Sequence, residues 1–234
     1  KVIYYTGLPT IAFDNKNNAV AAWGQTEYDS DGINITRNAY ARRFVKGSGW
    51  ESNSIPIENE SRSGYNSNVA GLAIDKDGNV IVILNQVVNI VGAVHEYMVY
   101  ANYYSNISGW NTSAVPIHTG KLFMDNISKI GFDGNGNTLV LWSQYQSDPL
   151  GNTTLSMIFA NSYRANSGWD VSAAKKIEND NNTYHYAGNP QYVFDGNGNA
   201  LDIWPKILGN SNVIISERFD AKLGWIASKQ KVVL

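Results

Sequence analysis

A repeat limits what this chain can fold into more than any other feature. Four aspartate-led turns, FDNKNNA, IDKDGNV, FDGNGNT and FDGNGNA, recur along it, and each is followed roughly 35 residues later by a Gly-Trp dipeptide. The leading aspartates are Asp14, Asp75, Asp133 and Asp195, and the tryptophans are Trp50, Trp110, Trp169 and Trp225. One unit of about 60 residues is therefore copied four times, and such units bury their apolar faces by stacking on one another.

Each copy reads as four strands. A short apolar run opens it, Leu8 to Phe13 in the first copy and Asn189 to Phe194 in the last, and the turn that follows uses Asp, Asn and Gly because these accept tight-hairpin geometry. The second strand begins at Ala19, Val80, Thr138 and Ala200. Nine residues after each turn aspartate stands Trp23, Leu84, Trp142 or Trp204, so the register is kept where the residue changes. Period-two alternation marks a third strand through Tyr40, Arg42 and Phe44 and its counterparts. The Gly-Trp turn comes next, and a fourth strand closes near Ile57, Ile117, Ile177 and Val232. No convincing helical apolar period runs for ten residues, so the class is all-β.

Four antiparallel strands per unit, repeated radially, are the blade of a β-propeller. The run Phe-Asp-x-x-Gly-Asn-Ala, then Trp-x-Gln, then Ala-Arg-Arg-Phe, then Gly-Trp, resembles the blade repeats of bacterial extracellular β-propellers of the broad sialidase-like group with its Asp-box turns. Here glycine and tryptophan are adjacent, whereas the Asp-box spaces them apart. The resemblance implies a fold and carries little about activity. The expected architecture is a single four-bladed domain over residues 1–234, with repeats at about 8–68, 69–128, 129–188 and 189–234. Residues 1–7 hold a spare strand, Val2 to Tyr5, that would pair beside the last blade and close the ring. The alternative is a piece of a propeller with more blades.

The formal net charge is −2, and no Lys/Arg run exceeds pairs such as Arg42-Arg43, which disfavours a nucleic-acid partner. No apolar stretch reaches the roughly 18 residues of a membrane span, so no transmembrane segment is expected. Cysteine is absent, which removes disulfides, thiolate nucleophiles and Cys-based zinc sites. An Asn-, Gly- and Tyr-rich chain without cysteine leans towards a bacterial secreted, cell-surface or periplasmic protein. It opens at Lys1 with no initiator methionine, as a processed protein or an excised piece would.

The repeated tryptophans are assigned to packing between blades and the aspartates to turns. Asp75-Lys-Asp-Gly-Asn79 is like the first half of a calcium loop, yet the twelfth positions are Gln25, Gln86, Gln144 and Lys206, none a carboxylate. Calcium is therefore weakly supported, and no cofactor is expected.

Function should lie where the copies differ. The connections from strand two to three, and from blade to blade, look long and unlike in every copy, and variable loops on a rigid scaffold carry binding residues. Candidate ligand-binding residues on that face are Gln25, Tyr28, Tyr65, Gln86, His95, Gln144, Tyr145, Tyr184 and His185. The glutamines end strand two in three copies and would either present amides to sugar hydroxyls or satisfy backbone groups of the next blade.

A sialidase site would need converging arginines, and four of the six arginines sit in or beside third strands. No motif selects a catalytic carboxylate pair. The reading is therefore a non-enzymatic, lectin-like module that binds a glycan or surface protein, with catalysis unassigned. The alternatives are a polysaccharide glycosidase or lyase, and a structural fragment of a larger adhesin or toxin.

Overall fold

The computed structural model describes residues 3–28, 34–59, 66–91, 94–118, 127–147, 153–169, 174–177, 187–208 and 210–232. The first sheet contains β1 (Ile3–Thr6), β2 (Thr10–Phe13), β3 (Ala19–Tyr28), β4 (Asn34–Val45), β5 (Gly49–Trp50) and β6 (Ile55–Pro56). In the second are β7 (Ser67–Ile74), β8 (Val80–Val91), β9 (Val94–Ser105), β10 (Gly109–Trp110) and β11 (Val115–Pro116). The third holds β12 (Ile127–Phe132), β13 (Thr138–Ser147), β14 (Thr153–Arg164), β15 (Gly168–Trp169) and β16 (Lys175–Lys176). The fourth is β17 (Gln191–Phe194), β18 (Ala200–Leu208), β19 (Ser211–Asp220) and β20 (Gly224–Val232).

Every strand pairing within these sheets is antiparallel, and each sheet has four strand positions, the last split into two short pieces in the first three sheets. This is the four-bladed, propeller-like all-β arrangement that the repeat predicts. The chain divides into two compact units, Lys1–His118 with the first two sheets and Thr119–Leu234 with the last two.

The two repeated signals are wired to each other. In each copy the turn aspartate accepts backbone N–H groups two and four residues on through Oδ1, and the asparagine side chain through Oδ2, as Asp75 does from Asp77, Asn79 and Asn79 Nδ2. That asparagine then reaches the turn between strands three and four. Asn18, Asn79, Asn137 and Asn199 accept through Oδ1 from the backbone of Lys46, Asn106, Ala165 and Ala221. Glycine precedes each repeated tryptophan because φ there is +77° to +88° at Gly49, Gly109, Gly168 and Gly224, a region costly for a Cβ.

The Gly-Trp tryptophans are less buried than the packing role expected of them. Trp50 is 47% exposed, and the others are half-buried. Each lies edge-on or tilted against an aromatic directly across on strand three: Phe44, Tyr104, Tyr163 or Phe219, with centroids 5.3–5.5 Å apart. Such cross-strand pairs hold the short fourth strand to its sheet. Trp142 and Trp204 do fill the core.

Between sheets a single packing rule holds in each unit. Positions six and eight after the turn aspartate point to the following sheet, and positions five, seven and nine to the preceding one. In the first unit Val20 and Ala22 meet Leu72, Val80, Val82 and Leu84. In the second, Leu139 and Leu141 meet Tyr192, Ala200 and Trp204.

Two expectations change. The segment Val2 to Tyr5, read as a ring-closing strand, does not serve as one: Ile3–Thr6 pairs with Gln25–Tyr28, end to end with β2 along the same edge of β3, and completes the first sheet. The connections from strand two to three are also shorter than the loops read at Thr26–Asn34 and Val87–His95. Strands β3, β4, β8 and β9 run far into those segments as long hairpins, because alternation continues through them.

Candidate functional site

Strand polarity puts the aspartate turns at one end of each sheet and the hairpin tips, with the inter-sheet connections, at the other. Among the expected residues, Gln25 is half-buried opposite Asn38, and Tyr28 is half-buried at the end of β3. Gln86 is buried, paired across the sheet with Ser67 and Met98. Gln144 stands opposite Met157, and its Oε1 is buried with no hydrogen-bond partner among the described residues. Lys206, in the glutamine position of the fourth copy, is buried opposite Val213. His95 and Tyr145 lie in β9 and β13, but their side chains fall outside the described residues, as do Tyr65, Tyr184 and His185 altogether. Gln25 and Gln86 share an end of the first unit without sharing a face. Gln86 has the parity of Leu84 and faces the first sheet, whereas Gln25 has the parity of Trp23 and faces away from the second.

What gathers between the first two sheets at this end is a group the sequence did not single out. Arg37 pairs by backbone with Asn66, tying β4 to the segment entering β7. Its guanidinium lies over two glycines: a Cβ would come 3.1 Å from Arg37 Nε at Gly24 and 2.6 Å from a terminal nitrogen at Gly7. Arg37 Nε is buried without a hydrogen-bond partner among the described residues. Glu58 follows the strand-closing Ile57 and is 8% exposed, with Oε2 accepting the Ala39 N–H at 2.7 Å. The Ser67 hydroxyl bonds the same carboxylate. Burial pushes the Glu58 carboxyl up to about 7, and the nearby charge of half-buried Glu27 adds to the rise. An acid that holds its proton near neutrality with a second carboxylate within electrostatic reach is the kind of pair that moves protons on a sugar. One signal for Glu58 was present in the sequence: Glu58, His118 and Glu178 each follow the isoleucine that closes strand four.

A second polar group lies in the other unit. Tyr192, Asp202 and Glu217 form one row across β17, β18 and β19 on the face turned to the third sheet. The Tyr192 hydroxyl donates to the Leu139 carbonyl and lies 3.5 Å from that of Gly131. Asp202 is fully buried, and neither carboxylate oxygen has a hydrogen-bond partner among the described residues. Burial, reinforced by the charge of Glu217, lifts the Asp202 carboxyl to about 8. The Asp202 carboxyl itself has no solvent access, so it cannot touch a polymer.

A shallow cleft also opens at the turn end of the second unit, lined by Asp133, Tyr163, Phe194 and Phe219 among others. Both Asp133 oxygens are already engaged by the Asn135 and Asn137 N–H groups and the Asn137 amide, so the cleft offers little free polar chemistry. Among the described residues no cluster of three or more His, Asp or Glu side chains could hold a metal ion. No helix there is long and apolar enough to cross a membrane.

No family model and no curated protein matches this chain. Solved structures do. A polysaccharide lyase of the PL25 ulvan lyase family, bound to -[GlcA(1-4)Rha3S]-, is similar with a TM-score of 0.60 at 9% identity, over 96% of this chain and 55% of that one. A protein of unknown function from Dyadobacter fermentans is similar with a TM-score of 0.60 at 12% identity, over 97% and 69%. A GH93 α-L-arabinofuranosidase of Fusarium graminearum, in complex with arabinobiose, gives 0.52 at 8% identity, over 96% and 66%. The chain thus has a four-sheet antiparallel fold distantly related to those of several glycan-active enzymes. It spans only about half the length of the ulvan lyase.

Proposed function

We propose that this chain acts on a polysaccharide at the hairpin end of its sheets, as a glycosidase or lyase, with Glu58 as the group that exchanges the proton. The observation that carries the reading is the Glu58 carboxyl, buried against the Ala39 N–H and the Ser67 hydroxyl with the charge of Glu27 within electrostatic reach. The fold's likeness to a polysaccharide lyase and an arabinofuranosidase supports the substrate class. Tyr28 and Gln86, at the hairpin end of the first two sheets, would hold sugar rings by stacking and hydrogen bonds. On this reading the chain works outside the cell, where such polymers occur.

The test is a panel of neutral and acidic polysaccharides incubated with the chain. New reducing ends report hydrolysis, and ultraviolet absorbance of an unsaturated sugar end reports elimination. Glu58→Gln should lower turnover by about 10²-fold or more while retaining binding, because the amide still accepts the Ala39 N–H. Cleavage by Glu58→Gln at the native rate, or no cleavage of any polymer, would overturn the proposal.

A non-enzymatic glycan-binding role is the second reading. It is favoured by the engagement of Glu58 with the Ala39 N–H and the Ser67 hydroxyl, a pattern that a purely structural carboxyl also shows. Retention of the chain on an immobilised polysaccharide that it leaves intact would establish it.

A further inference from the structure

One charged side chain between the first two sheets answers to nothing in the repeat. Arg37 lies directly across from Thr26 of β3, two residues before Ala39 on the same face of β4, and Ala39 packs against the second sheet. The same place in the other three sheets is held by Tyr97, Ser156 and Asn212, opposite Val87, Tyr145 and Ile207. A packing demand common to the copies would not accept a tyrosine, a serine and an asparagine where the first copy has a guanidinium.

The backbone beneath Arg37 is shaped to hold it. The Gly7 N–H donates to the Gly24 carbonyl at 2.8 Å, and neither residue has the positive φ that would itself call for glycine. Their missing side chains serve the arginine: a Cβ would come 2.6 Å from Nη2 at Gly7 and 3.1 Å from Nε at Gly24. Yet no ion pair joins Arg37 to a carboxylate among the described residues. Its Nε is buried without a hydrogen-bond partner there, and so is the side-chain oxygen of Asn66, to which Arg37 is bridged by backbone. Thr26 opposite is uncharged, and Glu27 has the parity of Gln25 and turns to the other face of β3. A half-buried cation with no counter-charge is unfavourable until a ligand supplies one.

We propose that Arg37 is an anion subsite that takes the carboxylate or sulfate of an acidic polysaccharide. The inference rests on the reading above of a polysaccharide at the hairpin end and deepens it by naming the charge that the polymer carries. A sugar carboxylate or sulfate presents neighbouring oxygens that the N–H groups of a guanidinium match in pairs, which an ammonium cannot do. Because the glycines fix the guanidinium before the polymer arrives, little side-chain freedom is lost on binding.

Binding, read separately from cleavage, tests this. Calorimetric titration of the native chain, Arg37→Gln and Arg37→Lys with polygalacturonate, dextran sulfate and neutral dextran is run at low and high salt, and circular dichroism checks that each variant folds. The native chain should bind at least one charged polymer, more weakly at high salt. Arg37→Gln should lose affinity for it by about 10-fold or more, together with much of the salt dependence. Arg37→Lys keeps the charge and most of the packing but not the planar fork, so it should still bind several-fold more weakly than the native chain. A loss confined to polygalacturonate identifies a carboxylate ligand, and one confined to dextran sulfate a sulfate. Native binding to neither charged polymer, or native affinity in either variant, would overturn the proposal. The two readings fail separately. A polymer held through Arg37 but never cleaved would remove the catalytic role of Glu58 and leave the subsite, whereas cleavage by Arg37→Gln at the native rate and affinity would remove the subsite and leave Glu58.

Discussion

The second and fourth sheets put different chemistry into the same cross-strand pair. Seven residues past the turn aspartate, Val82 of β8 lies directly opposite Asn102 of β9; in the fourth sheet the same pair is Asp202 and Glu217. The first and third sheets hold Ala21 with Arg42 and Val140 with Asn161. In the second sheet the polar member is useful to packing, because Asn102 Nδ2 donates to the Ile57 carbonyl at 2.9 Å and so bonds the first sheet to the second. In the fourth, two carboxylates share a dry position. The comparison teaches that the repeat specifies where side chains go and leaves open whether they stabilise, so the same site is a strut in one unit and a proton-sensitive spot in the other.

The largest effect should come from the core residue that flanks this pair on both sheets. Nine residues past the aspartate, Leu84 and Trp204 are both fully buried. Trp204→Ala should cost about 3 to 5 kcal/mol and Leu84→Ala about 2 to 5, as measured by urea unfolding. If Trp204→Ala cost less than about 1 kcal/mol, the fourth sheet would not pack as the second does.

The pair itself gives the sharper contrast. Asp202 holds its proton up to about 8, against an ordinary value of 3.8 in the unfolded chain. Below about pH 4 both states are protonated and the residue is neutral in its effect. As pH rises from there towards 8, the unfolded chain releases a proton that the folded chain keeps, so folding is progressively disfavoured. Asp202→Val, which installs the residue of the second and third sheets, should change stability little at pH 4. At pH 9 it should stabilise by on the order of 2 to 4 kcal/mol. A variant whose stability falls with pH as steeply as the native chain's would remove Asp202 as the cause.

Much of the scaffold was legible because each signal answers a local demand. The aspartate turns need a carboxylate for two N–H groups and an asparagine that bridges to the next turn, and these contacts lie within about thirty residues. Loop lengths were misread because the second strands do not stop near Gln25 and Gln86 but run on to Tyr28 and Val91 before turning. The polar site was largely illegible for a different reason. Glu58 meets Ala39 across nineteen positions, and Arg37 depends on glycines at 7 and 24, so neither contact has a spacing that sequence could announce. Asp202 could have been found, since aligning the copies on their aspartates leaves it alone among Ala21, Val82 and Val140.

Removing the strut from the second sheet should have a smaller effect than removing the carboxylate from the fourth. Asn102→Ala leaves the Ile57 carbonyl without its side-chain donor in a buried contact between sheets, at a cost of about 1 to 3 kcal/mol with little dependence on pH. Chemical denaturation at pH 5 and pH 9 separates the two behaviours. A pH-dependent loss in Asn102→Ala would show that the second sheet has a titrating group of its own at this contact.

The smallest difference lies at the turns, where the same glycine serves both sheets under unequal constraint. Gly78 and Gly198 have φ of +86° and +85°, so alanine at either is strained by about 1 kcal/mol. At Gly78 an added Cβ would come 3.4 Å from Asp14 Oδ2, close but tolerable. At Gly198 it would come 2.6 Å from Asp133 Oδ2, an oxygen already bonded to Asn137 Nδ2, so the carboxylate must move and strain its own turn. Gly198→Ala should therefore destabilise more than Gly78→Ala, by about 1 kcal/mol, the value of one such hydrogen bond. Gly78→Asn should be milder than either, because Asn17 already holds this position in the first copy with φ of +64°. Thermal unfolding of the three variants ranks them, and equal losses at Gly78 and Gly198 would mean that the aspartate of one turn does not press on the glycine of the next.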